Sequence, residues 1–218
     1  MDAELLQIPL REVLHFLGWR GTPVDAPLLA QIRDLCDLAV REVRPRMAER
    51  RFPLAPDGSL AGTSMTPKGN DVRAMLAPCR EAVLLAATLG AESERLLLRM
   101  QAKDAAQALL LDAVLSAAIE AVLDAREEAL CGELAAQGRY LTDRFSPGYG
   151  DMPLAQTREI CEVLGAQRAI GLTVSAGGVM IPRKSVTAIL GISDVPVARR
   201  PAGCEGCAAR ETCALRRR

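Results

Sequence analysis

The chain predicts a mixed fold dominated by long helices with a minority of strands, and three observations lead there. Hydrophobic residues make up 50% of the sequence but aromatic residues only 3%, a balance that favours Ala/Leu/Val packing in helices over an all-β sandwich. Apolar positions keep a 3.6-residue spacing from Leu28 through Leu29, Ile32, Leu35, Cys36, Ala39 and Val40 to Val43. Short apolar runs bounded by glycine or proline occur elsewhere, as buried strands require. At 218 residues the chain is long enough for one substantial core.

Taken in order, Pro9 to Leu17 reads as a short helix stopped by Gly18 and the Gly21-Thr22-Pro23 turn. A second helix is expected from about Ala26 to Met47, with Pro45 disturbing its last turn. Residues Arg51 to Gly69 are rich in Pro, Gly, Ser and Thr and predict short strands and turns. Glu81 to Thr88 predicts a buried strand. The stretch from Ala91 to about Gln137 is too long for an ordinary single helix and predicts two helices, or one kinked near Lys103. Its second half carries Asp112, Ser116, Glu120 and Asp124 at i, i+4 spacing on one face. That row is either a solvated stripe or part of a ligand groove. A turn-rich loop from Arg144 to Pro153 leads into a helix from about Pro153 to Leu164. Ala169 to Val174 and Ser185 to Ile192 predict strands. Residues 194–218 form a Pro/Arg linker and a cysteine-rich tail behind a domain of residues 1–193.

Composition excludes several functions. Lys plus Arg and Asp plus Glu each total 27, so no global field draws the chain to nucleic acid or an anionic membrane. No run of 18 uninterrupted apolar residues occurs, and the acidic start Met1-Asp2-Ala3-Glu4 lacks a cationic segment, which predicts a cytoplasmic protein. His15 is the sole histidine, so zinc sites built on two or three histidines are excluded. Its apolar neighbours Val13, Leu14, Phe16 and Leu17 predict a packed or half-buried ring. Cys36, Cys79, Cys131 and Cys161 stand singly in apolar contexts and read as buried small hydrophobes. Cys204, Cys207 and Cys213 crowd into ten residues. Their C-x-x-C-x5-C spacing suits zinc or an iron–sulfur cluster, one ligand short of a closed site; the alternative is a tail with free thiols.

Arg144, Pro147, Gly148 and Tyr149 make the most informative cluster. An arginine beside a Pro-Gly turn offers a fork of donors to a carboxylate or phosphate, and the tyrosine adds a flat face with a polar tip. These residue types specify an anion-plus-aromatic site, and an ordinary surface turn would explain them as well.

The order Arg144-Phe-Ser-Pro-Gly-Tyr149, a helix over Leu154–Leu164, Gly171-Leu-Thr173, Met180-Ile-Pro182 and Ser185-Val186 resembles the signature of the methionine synthase activation domain family. Leu111-Asp-Ala-Val-Leu-Ser-Ala-Ala-Ile-Glu120 resembles the helix before that loop. Val13 to Arg20 and Ala86 to Gly90 resemble a shorter, stand-alone branch. The resemblance implies an α+β fold with a bent antiparallel sheet, long helices and a shallow groove that binds S-adenosylmethionine. It implies cofactor-binding roles for Arg144, Pro147, Gly148 and Tyr149. The implied task is accessory: reductive remethylation of cob(II)alamin on a corrinoid-binding methionine synthase subunit, with an electron from a flavodoxin-like or ferredoxin-like donor. The alternatives are a non-catalytic docking module and an iron–sulfur activator of another corrinoid methyltransferase. Two departures stand out: Gly150-Asp151-Met152-Pro153 replaces the Pro-x-Cys-Pro-Asp-His of the full-length enzyme, and Ser175-Ala176-Gly177 replaces Thr-Glu-Ser. The chain holds no Asp-x-His-x-x-Gly loop, so the cobalamin must sit on a separate polypeptide.

Overall fold

A computed structural model describes residues 6–19 and 23–197; the cysteine motif at Cys204, Cys207 and Cys213 lies outside the described residues. The fold is α+β. Helices α1 (Leu10–Phe16), α2 (Ala26–Glu42), α3 (Asn70–Leu76), α4 (Ala91–Gln101), α5 (Ala105–Ala135), α6 (Gln156–Leu164) and α7 (Ala166–Ile170) surround strands β1 (Arg46–Pro53), β2 (Cys79–Thr88), β3 (Tyr140–Leu141) and β6 (Ser185–Ser193). These four strands form an antiparallel sheet in the order β1-β2-β6-β3. A separate two-stranded ribbon pairs β4 (Thr173–Val174) with β5 (Met180–Ile181).

The sheet divides two cores. From one face Val83, Leu85, Ala87, Leu190 and Ile192 pack under α1, α2, α4 and α5. From the other, Ala82, Leu84, Ala86 and Ile189 meet α3, α6 and α7 together with Leu60 and Met65 of the β1–β2 connection. Because β2 is buried on both faces, its sequence is a continuous apolar run instead of an alternating one. Helix α5 is the spine of the first core, burying Leu111, Val114, Leu115, Ala118, Val122 and Leu123. It is long and apolar enough to cross a membrane by length and composition, yet 56% of its most apolar window is buried inside the fold.

Several expectations change. Helix α2 stops at Glu42, since Val43 is extended and Pro45 disfavours helical backbone at the residue before it. The expected last turn instead enters β1, an edge strand of mostly charged, exposed residues in which only Phe52 is fully buried. The break between α4 and α5 falls at Lys103, where Asp104 caps the second helix by accepting the Ala106 and Gln107 N–H groups at 2.9 and 3.0 Å. Ala169–Val174 is not one strand. Left-handed Gly165 and Gly171 (φ 60° and 72°) bracket the short helix α7, leaving only Thr173–Val174 extended. Helix α6 starts at Gln156, after a turn that begins at Pro153. His15 is exposed, not packed, with its ring edge-on to Phe16 at 5.8 Å. Of the scattered cysteines only Cys161 is fully buried; Cys36, Cys79 and Cys131 are part-buried. Burial pushes the Cys36, Cys79 and Cys161 thiols up to about 11, which makes them inert packing groups.

Candidate ligand site at the sheet edge

The site forms where β3 meets β6. Leu141 pairs with Ile192, and the next bridge joins Phe145 to Ile189, so four steps along one chain face three on the other. The extra residue is a bulge. Thr142 supports it: its N–H donates to the Gly191 carbonyl at 2.9 Å, and its hydroxyl accepts the Gly191 N–H at 2.8 Å. Leu141 lies in the core under α5, whereas Phe145 lies in the opposite core. In an unbroken strand, positions four apart would share a face. The bulge therefore sends Phe145 to one side and releases the Arg144 side chain toward α5.

On α5 the guanidinium meets three carboxylates. Arg144 Nη2 lies 2.6 Å from Asp124 Oδ1 and 3.4 Å from Glu120 Oε2, and Nε lies 3.2 Å from Glu127 Oε2. The arginine side chain is 19% exposed, and its Nη1 is buried with no hydrogen-bond partner among the described residues. One planar fork thus faces three acids and keeps a donor unused. Burial pushes the Glu120 carboxyl above the usual range, Arg144 pulls it back down, and Asp124 and Glu12 push it further up. Further along the same row, Lys184 Nζ lies 2.8 Å from Asp112 Oδ1 and donates to the Asp112 carbonyl and Ser116 Oγ at 3.0 and 2.8 Å. The row on α5 is therefore an ion-paired stripe, engaged by Arg144 and Lys184.

The neighbouring loop is tightly folded. The Tyr149 N–H donates to the Ser146 carbonyl at 3.1 Å, the Gly148 N–H to the Met152 carbonyl at 2.9 Å, and the Met152 N–H to the Tyr149 carbonyl at 3.1 Å. Pro147 and Met152 are buried and anchor the turn, while Gly148 takes a φ of 92° that favours glycine. The Gly148 and Tyr149 N–H groups are thus spent inside the turn, and the Tyr149 ring stands 72% exposed. Asp151, which sequence reasoning did not single out, accepts the Asn70 N–H at 2.6 Å and the Asp71 N–H at 3.1 Å. These bonds hold its carboxyl below the usual carboxylate range. No pattern along the chain marks this pair, because the partners are some 80 residues apart.

A hollow of about 400 Å³ opens beside the bulge, with Asp71, Ala74 and Met75 on one wall and Thr142, Asp143, Arg144 and Phe145 on the other. The last described residues, Pro196 and Val197, also line it. A second hollow of about 480 Å³ lies between Arg50, Thr63, Lys68 and Glu159, but its Lys68 and Glu159 satisfy each other at 2.9 Å. Among the described residues no group of His, Cys, Asp or Glu is arranged to hold a metal ion.

Among solved structures, the protein is similar to the MetH reactivation domain bound to AdoHcy. The match has a TM-score of 0.67 over 91% of this chain and 78% of that one, at 16% sequence identity. No family model and no curated protein matches the sequence. The protein thus has the fold of the methionine synthase reactivation domain.

Proposed function

We propose that the protein binds S-adenosylmethionine at the edge formed by Arg144, Pro147, Gly148 and Tyr149, and serves reductive remethylation of cob(II)alamin on a separate corrinoid-binding methionine synthase subunit. The observation that carries this reading is the buried, unused Nη1 of Arg144 among three carboxylates. An unsatisfied buried donor costs free energy until an acceptor arrives, and a ligand carboxylate is the acceptor a guanidinium fits best. The surrounding Glu120, Asp124 and Glu127 leave the cluster two negative charges in excess, which favours a ligand that also carries cationic groups. S-adenosylmethionine has a carboxylate, an ammonium and a sulfonium. AdoHcy bound to the MetH reactivation domain supports the same ligand class.

When bound, S-adenosylmethionine would supply the methyl group and leave as S-adenosylhomocysteine, with one electron from a flavodoxin-like or ferredoxin-like donor balancing the conversion of cob(II)alamin to methylcobalamin. The chain's own part is to bind and orient: Arg144 takes the carboxylate, the α5 acids face the cationic end, and the exposed Tyr149 ring supplies a flat contact. The cysteines Cys204, Cys207 and Cys213 are proposed to hold zinc or an iron–sulfur cluster, on the strength of their spacing.

Titration calorimetry with S-adenosylmethionine and S-adenosylhomocysteine tests the reading. Saturable binding is expected in the parent chain. Arg144→Ala and the charge-conserving Arg144→Lys are each expected to weaken it by about tenfold or more, since the fork geometry is lost in both. Absence of saturable heat from the folded parent protein ends the proposal.

A further inference from the structure

The hollow beside Arg144 has two walls from distant parts of the chain, and one side chain joins them. Asp71, Ala74 and Met75 recur at i, i+3 and i+4, so they present one face of α3 to the cavity. The facing wall is the bulged segment from Thr142 to Phe145, which continues directly into the Pro147–Met152 turn. Asp151 sits at the end of that turn and closes both of its carboxylate oxygens on the first N–H groups of α3. Gly69, the residue before α3, has no side chain to offer as a cap, so this carboxylate comes from outside the helix.

The local backbone is shaped to allow the contact. Gly69 has a φ of 118°, and a Cβ built there would lie 2.6 Å from Asp151 Oδ1 and 3.1 Å from the Asp151 backbone. Gly150 has a φ of 51°, and a Cβ there would collide with the Asp71 carboxylate. Two glycines thus permit a close approach that neither could make with a side chain, and the carboxylate locks it. Asp71 and Arg73 are charged groups at this junction, and Arg73 is itself tied to the Pro67 carbonyl at 3.2 Å.

We infer that Asp151 is a positioning residue: by clasping α3 it fixes the separation of the two walls and holds the turn that carries Gly148 and Tyr149. The inference rests on the ligand reading above and extends it. The hollow between α3 and the bulge adjoins the ligand site at Arg144, and the second hollow at Lys68 does not. Asp151 touches no ligand; it sets the shape into which the ligand fits.

Amide hydrogen exchange by NMR and calorimetry with S-adenosylhomocysteine, on the full chain and on Asp151→Ala and Asp151→Asn, test the inference. In Asp151→Ala the amides of Asn70 and Asp71 are expected to exchange faster, and so are those of Gly148 and Met152 within the turn. Affinity is expected to fall about tenfold, the loss of a charge-assisted pair of bonds. Formate, compared with chloride at equal ionic strength, is expected to restore both in the alanine variant by supplying a carboxylate to the vacated N–H groups. Asp151→Asn keeps one acceptor oxygen and should fall between parent and alanine. If only Asn70 and Asp71 respond while Gly148 and Met152 exchange as in the parent, Asp151 is a helix cap and the inference is overturned. If the turn loosens but affinity is unchanged, it is overturned as well. A parent chain that does not bind S-adenosylhomocysteine overturns the ligand reading, and the four amides alone then decide whether the clasp stands.

Discussion

Arg144 shows how much chemistry one side chain acquires from its surroundings. Its residue type and the Pro-Gly turn after it announce a carboxylate fork, and Glu120 and Asp124 belong to the polar row visible on the α5 sequence. That Arg144 would face this row, joined by Glu127, depends on a bulge that leaves no mark in a linear pattern. Asp151 was illegible for a related reason: its partners are backbone N–H groups, which every residue except proline possesses. The Glu120 carboxyl, raised by burial, gives this cluster a titration signature. A cationic ligand beside it favours the ionised form, so binding is expected to release protons as pH passes through the raised range. Calorimetry in buffers of differing ionisation heat measures the release, and Glu120→Gln should abolish it. The same raised value means that Glu120 adds stability at low pH and that this contribution is lost as pH rises through its folded value. Glu120→Gln is expected to flatten that slope in denaturant titrations.

At the scale of elements, legibility followed burial. Strand β6 was readable because Ser185 and Ser193 bound an apolar run, and the α4/α5 break because the segment is too long for one ordinary helix. Strand β1 was not, since Arg46, Glu49, Arg50 and Arg51 make it look like a polar helix end or loop, and only pairing with β2 defines it. The end of helix α7, Ala169 and Ile170, falls in the expected strand because five residues are too few to show a helical period. At the β3 edge one hydroxyl adds to the backbone pairing. Thr142→Val keeps the shape but removes the acceptor of the Gly191 N–H, leaving a buried donor unsatisfied. The expected cost is about 1–3 kcal/mol in urea unfolding. A loss within error of zero would show that the bulge is held by packing alone.

Across the whole molecule, the helical content and the alternation of helices with strands were foreseeable from composition and spacing. The strand order β1-β2-β6-β3 was not, because β6 lies more than 90 residues from its partner β2 in sequence. Both cores and all four described strands of the sheet are built from residues 6–197. Removing residues 198–218 is expected to leave the thermal midpoint unchanged within about 2 °C, and a larger fall would show that the tail packs on the fold. Metal analysis of the intact and shortened chains, purified without oxygen, then isolates the tail. Zinc or iron present in the first and absent from the second supports the proposed site, and an intact chain free of both ends it.

The one-residue mismatch between Leu141–Ile192 and Phe145–Ile189 makes the segment behave as a counted length. Deleting Thr142 or Asp143 would restore a regular ladder in which Phe145 still faces Ile189 and the arginine keeps the Leu141 side of the sheet, but without the bend by which the bulge aims it. Most of this surface can lose or gain a residue by reshaping a loop. Here the extra residue sets the bend that aims the guanidinium at its three carboxylates, so lineages that preserve those contacts should hold the length of the segment constant.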